Sequence, residues 1–528
     1  MKLLFCCSAF LLLLFLDPRV CKAGNILVMP TEGSHWINMD FLLQALHSRG
    51  HNVTIVLSNK SWYIKDNSSY YTAYTVQMDK YLDKVLNTKF FSDYFEFERG
   101  ALPLSSFLHM TVGMFSLFID VHRIVGEFVS AVLENQELMI KLNDSKFDLL
   151  LTDPCWGAGV ILAKYLNLPL VYNVRWLIAS EGHLAIAPSP ISYIPITGSG
   201  NTDKMSFLQR VQNMVLHLIT QSQNYLVGKL VYQPISDKYL GPNYDFNELI
   251  LDAEIWLMRV DFAFEYPRPT MPNVVYMGGF QCTPAKPLPQ DLEDFVQSSG
   301  EDGVIIMSMG TFVSELPVDM TNEIAAAFAK LPQKVIWRHK GNRPATLGNN
   351  TLIVDWMPQN DLLGHPKTKL FVAHGGTNGV QEAVYHGVPV VGLPIFFDQY
   401  DNLLRLKERG GAKLLEIKTV DKDNNFLNAI QEVLIDPSYR LNMQRFSRLH
   451  RDQPIEPLNN ALFWIEFVMR HKGAAHLKSQ SYRLPWYSYY SVDVVLFLAA
   501  AVLFVFLIIF ILVRCLYTAM CKPKLKRD

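Results

Sequence analysis

The densest collection of chemically capable side chains lies in residues 356–399, which carry Trp356, Gln359, a His-Gly-Gly triplet (His374, Gly375, Gly376), Asn378, Glu382 and an Asp-Gln pair (Asp398, Gln399). A glycine pair lets the backbone approach a ligand, and the free N–H groups and dipole of a helix starting just after it favour a phosphate. An aromatic face suits a nucleobase, a carboxylate suits a ribose diol, and amide donors suit an oxyanion. Far away in sequence, His35 and Asp153 suit a different task. An imidazole can take a proton from a hydroxyl while a carboxylate orients the ring and stabilises the imidazolium that results.

These residues need elements that bring them to one mouth. Residues 369–373 read as a strand, 378–386 as a helix that carries Glu382 one turn beyond Asn378, and 388–393 as a second strand ending near Asp398. Trp356 and Gln359 lie at the end of the preceding strand, and in an open parallel sheet such loops converge at the strand carboxyl ends, where ligands bind. Nearer the amino terminus, strand 25–30, helix 36–46 and strand 52–58 make a right-handed βαβ unit with His35 in the first loop. The apolar run 147–153 ends at Pro154, which stops the ladder and leaves Asp153 at a strand end; a helix over 157–165 and a strand over 168–174 follow. Residues 303–307 begin a new strand, followed by a turn over Ser308-Met309-Gly310-Thr311, and strand 334–337 is followed by Arg338, at a strand end where it could contact a nucleotide. A further strand over 412–417, helices to about His450 and a helix over 462–469 complete the body.

The run 356–399 resembles, without a gap, the signature of the UDP-glycosyltransferases, and in its vertebrate form that of the UDP-glucuronosyltransferases; Ala373 departs from it, standing where many members carry Ser or Thr. The resemblance implies an α/β fold of two Rossmann-like doubly wound domains, called B-type, plus a single C-terminal transmembrane helix. It implies that Trp356 stacks on uracil, that Gln359 and Glu382 read the nucleoside, that His374, Gly375, Gly376 and Asn378 hold phosphate, and that the Ser308 hydroxyl meets the diphosphate. Asp398 and Gln399 would bind sugar hydroxyls, and His35 and Asp153 fall where the family places its base and the base's partner. Arg259, in an apolar context, needs an anion: the resemblance offers the carboxylate of glucuronic acid, and an ion pair with Asp252 or Asp261 competes with it. With no Asp-x-Asp triplet in a strand-end loop and no His/Cys cluster at ligand spacing, no metal and no cofactor beyond the co-substrate UDP-glucuronate are expected.

The 528 residues allow two sizeable cores, and 48 basic against 49 acidic side chains, net −1, give no reason to invoke nucleic acid. Half of the residues are hydrophobic and mean hydropathy is +0.11, an excess that the two ends partly explain. Residues 1–23 read as a signal peptide and the uncharged apolar run 494–513 as one membrane-spanning helix, with Trp486, Tyr487, Tyr489 and Tyr490 on one side and a basic tail over 514–528 on the other. These flanks predict a single-pass type I protein of the endoplasmic reticulum membrane with a lumenal body. Lys524 and Lys526 resemble a dilysine retrieval signal, or serve only as positive-inside charge. Cys155 and Cys282 are the lumenal cysteines, free to pair or not, and Asn52, Asn59, Asn67, Asn143 and Asn349 head glycosylation sequons.

The expected organisation is an acceptor-binding domain over 24–283, a proline-rich linker over 284–300, and a UDP-sugar domain over 301–480 whose last helix returns to the first domain. Residues 102–118 and 207–226 read either as core helices or as parts of an adaptable acceptor pocket or membrane contact, with Phe107, Met110, Met114, Phe115 and Phe118 as pocket candidates. The predicted activity is inverting transfer of glucuronic acid to a hydroxyl or other nucleophile of a small lipophilic acceptor. A transferase using UDP-glucose, UDP-galactose or UDP-xylose on a lipid or sterol shares nearly every motif. A non-catalytic lipid-binding or partner subunit on the same scaffold is the reading of another class. Partners are therefore the acceptor, the UDP-sugar and a lipid bilayer, with a homo- or hetero-oligomer open.

Overall fold

The computed structural model describes residues 23–80, 106–311, 316–420 and 422–521. The expected signal peptide and the lysines at 522–526 lie outside these residues, as do the side chains of Phe107 and Met110. The chain divides into a body that ends at Leu477 and a carboxyl-terminal unit from Lys478.

Two parallel sheets organise the body. The first is built from β1 (Asn25–Met29), β2 (Asn52–Ser58), β3 (Thr72–Val76), β4 (Leu149–Thr152) and β5 (Leu170–Val174); a short hairpin of β6 (Trp176–Leu177) and β7 (Ser180–Glu181) intervenes before β8 (Ile255–Met258) and β9 (Val274–Tyr276). Its order is β3-β2-β1-β4-β5-β8-β9. The second sheet comprises β10 (Val304–Ser308), β11 (Lys334–Arg338), β12 (Thr351–Val354), β13 (Thr368–Ala373), β14 (Val390–Gly392) and β15 (Ala412–Leu414), in the order β12-β11-β10-β13-β14-β15. Both orders reverse direction once, between β1 and β4 and between β10 and β13. At such a switch the crossover helices leave for opposite faces and open a crevice at the strand carboxyl ends. His35 and Asp153 follow β1 and β4; Ser308 is the last residue of β10 and His374 follows β13.

The strands are near-continuous apolar runs because helices cover both faces: β4, β5, β8 and β10 are buried along their whole length. The helix Pro457–His471 packs Ala461, Leu462, Ile465, Val468 and Met469 into the core of the first sheet, and its Glu466 accepts a hydrogen bond from Arg49 at 3.1 Å. At about 1.5–3 kcal/mol for each large apolar side chain removed from water, that contact ties the two ends of the body together.

Several boundaries differ from those read in the sequence. His35 is not in a loop: the helix Ser34–Ser48 begins before it, with Gly33 at its N-cap, so the ring projects from a first helical turn. The expected linker 284–300 contains a helix, Gln290–Gln297, whose Leu292 and Val296 are buried in the core of the second sheet, so the irregular stretch is shorter. The long helices Ser106–Glu134 and Phe207–Val227 behave differently from one another. The first buries Val121, Val125, Phe128 and Val132, whereas in the second only Asn213 and Val227 are buried and Phe207, Leu208, Val215 and Leu218 are exposed. In the carboxyl-terminal unit, Val492–Met520 is one helix, long and apolar enough to cross a membrane.

Candidate functional site

At the switch of the first sheet, His35 Nδ1 and Asp153 Oδ2 are 2.6 Å apart. The Asp153 side chain is 1% exposed and that of His35 17%, so the carboxylate is sealed in while part of the ring still faces the cleft. Asp153 takes its orientation from local chain logic: Pro154 ends the strand and starts a short 3-10 turn, which Asp153 caps by accepting the Cys155 N–H through Oδ1 at 3.0 Å. Arg259, one residue past β8, donates from Nη2 to the same Asp153 Oδ2 at 3.1 Å and lies 3.2 Å from His35 Nδ1. Burial pushes the Asp153 carboxyl up, but His35 and Arg259 together outweigh it and hold the group below its usual range. The anion that Arg259 meets is therefore Asp153. Asp261, one of the candidates weighed from sequence, is bonded to His450 instead.

His35, Asp153 and Cys155 each present a ligand-type atom, all within 4.8 Å of one another. The guanidinium of Arg259 already supplies positive charge there and the carboxylate accepts from three donors, so the cluster reads as an oriented dyad with a cation rather than as a metal cradle. Cys155 and Cys282 are both free thiols.

At the switch of the second sheet, β13 runs into His374-Gly375-Gly376 and the helix Thr377–His386. Gly375 has φ +92°, and a Cβ there would sit 2.6 Å from the Gln399 carbonyl oxygen; one at Gly376 would sit 2.5 Å from His374 Nε2. Side chains at either position would push apart the turn that exposes the helix amides. Burial lowers His374 to about 4, so the ring is neutral near pH 7. Gln359 Nε2 donates to Glu382 Oε2 at 2.6 Å, and burial raises the Glu382 carboxyl to about 7 despite that bond. Trp356 is 58% exposed, an open aromatic face with the Arg338 guanidinium carbon 5.2 Å from its centroid. Arg338 also bonds the carbonyls of Gly310 and Asp355, and Ser308 Oγ accepts the Gly310 N–H, so both side chains shape the β10 turn.

Asp398 accepts from Thr377 Oγ1 at 2.8 Å and Asn402 Nδ2 at 2.9 Å. Gln399 spends its carbonyl on the amides of Ile395 and Phe396, which fixes the preceding loop. Phe397 within that loop has φ +56° and is exposed, a strained conformation beside Asp398 that the turn must hold in place.

The two crevices face each other. Asn378 Nδ2 donates to the Ser34 carbonyl at 3.2 Å, linking the phosphate-type turn to the helix of His35, and the buried Gln381 donates to the Arg259 carbonyl at 3.3 Å. Arg175, at the end of β5, is buried between Glu265 (2.5 Å), Asn402 (3.2 Å) and Asp398 (3.7 Å). Asp401 accepts the backbone amides of Gly198 (2.6 Å) and Gly200 (3.2 Å) from the first lobe, and burial raises its carboxyl to about 6. Sequence reasoning missed Arg175, Gln381, Asp401 and Asn402. Asp401 and Asn402 stand three and four residues past Asp398, a helical spacing that carried the signal. Arg175, a lone charge ending an apolar strand, carried a weaker one.

Comparison with known proteins agrees with this geometry. A family model described as UDP-glucoronosyl and UDP-glucosyl transferase matches residues 24–527. The chain is 41% identical to UDP-glucuronosyltransferase 2A3 of Cavia porcellus over 94% of its length and 93% of the relative's, and 40% identical to UDP-glucuronosyltransferase 2A2 of Homo sapiens over 94% and 92%. Among solved structures, a UDP-glucosyltransferase from Polygonum tinctorium superposes with a TM-score of 0.57 at 15% identity, covering 85% of this chain and 99% of its own, which supports the two-lobed fold. The calicheamicin glycosyltransferase CalG4 does so at 0.55 and 17%, covering 84% and 98%. The chain belongs to the UDP-glucuronosyl and UDP-glucosyl transferase family and is a hexosyltransferase using a UDP-sugar.

Proposed function

We propose that this enzyme transfers glucuronic acid from UDP-glucuronate to a hydroxyl of a small lipophilic acceptor, with inversion, using His35 as base and Asp153 as its partner. The observation that carries the proposal is the 2.6 Å contact of His35 Nδ1 with a sealed Asp153, in a crevice facing the nucleotide-type turn. With Nδ1–H donated to the carboxylate, Nε2 is the acceptor. It takes the hydroxyl proton as the acceptor oxygen bonds to the anomeric carbon; the bond from that carbon to the phosphate oxygen breaks, and UDP leaves with the electron pair. The amides at the start of Thr377–His386 receive the growing negative charge, with His374 neutral beside them. Trp356 would stack on uracil, Gln359 and Glu382 hold the ribose, and Asp398, kept in place by Thr377, Asn402 and Arg175, would bind sugar hydroxyls with Gln399 buttressing the loop. Ser308 and Arg338 would act on the diphosphate side.

Relatives at 40–42% identity that bear the name UDP-glucuronosyltransferase support glucuronate as the donor sugar. Arg259 and Arg175 are both engaged by carboxylates, which keeps UDP-glucose, UDP-galactose and UDP-xylose in the test. A single-pass position in the endoplasmic reticulum membrane with a lumenal body is supported by the helix Val492–Met520 and by the exposure of Asn52, Asn59, Asn67, Asn143 and Asn349. Microsomes carrying the full chain, offered each UDP-sugar with a panel of phenols and sterols, should consume UDP-glucuronate fastest. His35→Ala should lower that rate by about 10²–10⁴. Transfer by His35→Ala at the wild-type rate would sink the base assignment, and faster use of UDP-glucose would sink the donor assignment.

A further inference from the structure

The Arg259 guanidinium is buried; the contacts of its Nη2 are with the dyad, while its Nε, also buried, has no hydrogen-bond partner among the described residues. Nη2 donates to Asp153 Oδ2, the oxygen that His35 engages, while Oδ1 is held by the Cys155 amide. Three donors on one carboxylate leave it a single orientation, which aligns the imidazole in turn. The 3.2 Å approach of Nη2 to His35 Nδ1 has another meaning. With Nδ1 already donating to Asp153, two N–H groups face each other and form no hydrogen bond, so a fixed positive charge lies beside the ring.

We infer that Arg259 is a positioning residue for the transfer reaction, which fixes the Asp153 carboxylate and, through it, the orientation of the His35 ring. This inference rests on the proposed role of His35. The charged and titratable groups around the pair are Asp153 and Cys155 at the end of β4 and Arg259 at the end of β8, with Arg175 and Asp398 farther out. Removing Arg259 frees Asp153 Oδ2 from one of its donors, so the carboxylate and the ring it holds can turn away from the reacting geometry. The Arg259 backbone is itself fixed, its N–H donating to the Val174 carbonyl and its carbonyl accepting from Gln381 of the second lobe.

The test uses the full-length protein in microsomes and compares Arg259→Gln and Arg259→Lys, each alone and combined with Asp153→Asn. Arg259→Gln should lower kcat by about 10–100-fold with KM for UDP-glucuronate changed by less than about twofold. Arg259→Lys, which keeps the charge and a donor, should recover part of the rate; it carries the test if the glutamine variant no longer binds UDP in a thermal-shift assay. In the Asp153→Asn background the arginine substitution should cost little more, because it acts through the missing carboxylate. A raised KM for UDP-glucuronate, with kcat and the use of UDP-glucose preserved, would make Arg259 a contact for the sugar carboxylate and overturn the inference. Losses that multiply in the double variant would also overturn it. His35→Ala separates the two levels: if it is inactive while Arg259→Gln keeps the wild-type kcat, only the role of Arg259 falls.

Discussion

The two crevices of this transferase are built from the same topological device but in opposite ways. In the second lobe the side chains proposed to hold the donor are near neighbours in sequence: Gln359 and Glu382 are 23 residues apart, Thr377 and Asp398 are 21 apart. In the first lobe His35 and Asp153 are separated by 118 residues, and Arg259 lies 106 beyond Asp153. The proposed donor half has an open aromatic face and a helix terminus; the other half is a sealed carboxylate clamped between an imidazole and a guanidinium. Binding a nucleotide needs an accessible surface with partners for base, ribose and phosphate. Shifting a proton needs a low-dielectric setting in which a few charges decide which form of a ring persists.

If that contrast is right, substitutions should separate rate from affinity. The largest effect is expected for Asp153→Asn, which should lower kcat by about 10²–10³ while UDP affinity in a thermal-shift titration stays as it was. A comparable loss of UDP affinity would break the division. Trp356→Ala should do the reverse, raising KM for the UDP-sugar roughly tenfold, as the loss of one stacked base implies, with turnover at saturating donor little changed.

Glu382 sharpens the comparison through pH. Its folded-state carboxyl is raised from about 4.5 to about 7. In the empty protein it therefore contributes stability below its unfolded value, and this contribution is lost as pH rises through 7. Ribose needs the charged form as acceptor, so UDP affinity should increase by several-fold from about pH 6 to about pH 8, and Glu382→Gln should flatten that dependence; a variant with the wild-type slope would remove Glu382 from the nucleoside site. The smallest effect is expected for the bridge between lobes. Asp401→Asn exchanges a carboxylate that accepts two loop amides for an amide that accepts with one oxygen, costing about 1 kcal/mol, read as a few degrees in melting temperature and a modest rise in donor KM. An unchanged melt and KM would show that the Gly198–Gly200 contact does not hold the cleft.

The long helix Phe207–Val227 marks where pattern alone runs out. Its apolar residues recur at helical spacing, as do those of Ser106–Glu134, yet one helix is largely exposed and the other packs against the core. Periodicity reports that a face is apolar and says nothing of what covers it. The same limit produced the misplaced start of the helix at His35 and the linker that proved partly helical. In each case a cap or a buried pair, Gly33 at the N-cap or Leu292 with Val296, set the boundary through tertiary context.

What the amino-acid order determined unaided was the local turn of the second lobe. The strand, His374-Gly375-Gly376 turn and helix lie within one short stretch, where backbone permissiveness and helix amides act locally, and the alternation of apolar strands with helices led to the paired parallel sheets. Sequence also singled out His35 and Asp153 as strand-end residues. Only the tertiary structure decided that they touch, that Arg259 joins them rather than Asp252 or Asp261, and that Arg175, Gln381 and Asp401 reach across the cleft. The reason is physical: contacts over more than a hundred residues depend on strand order and on which face each crossover helix takes. Those choices are settled by burying the whole core, and no short run of residues contains them.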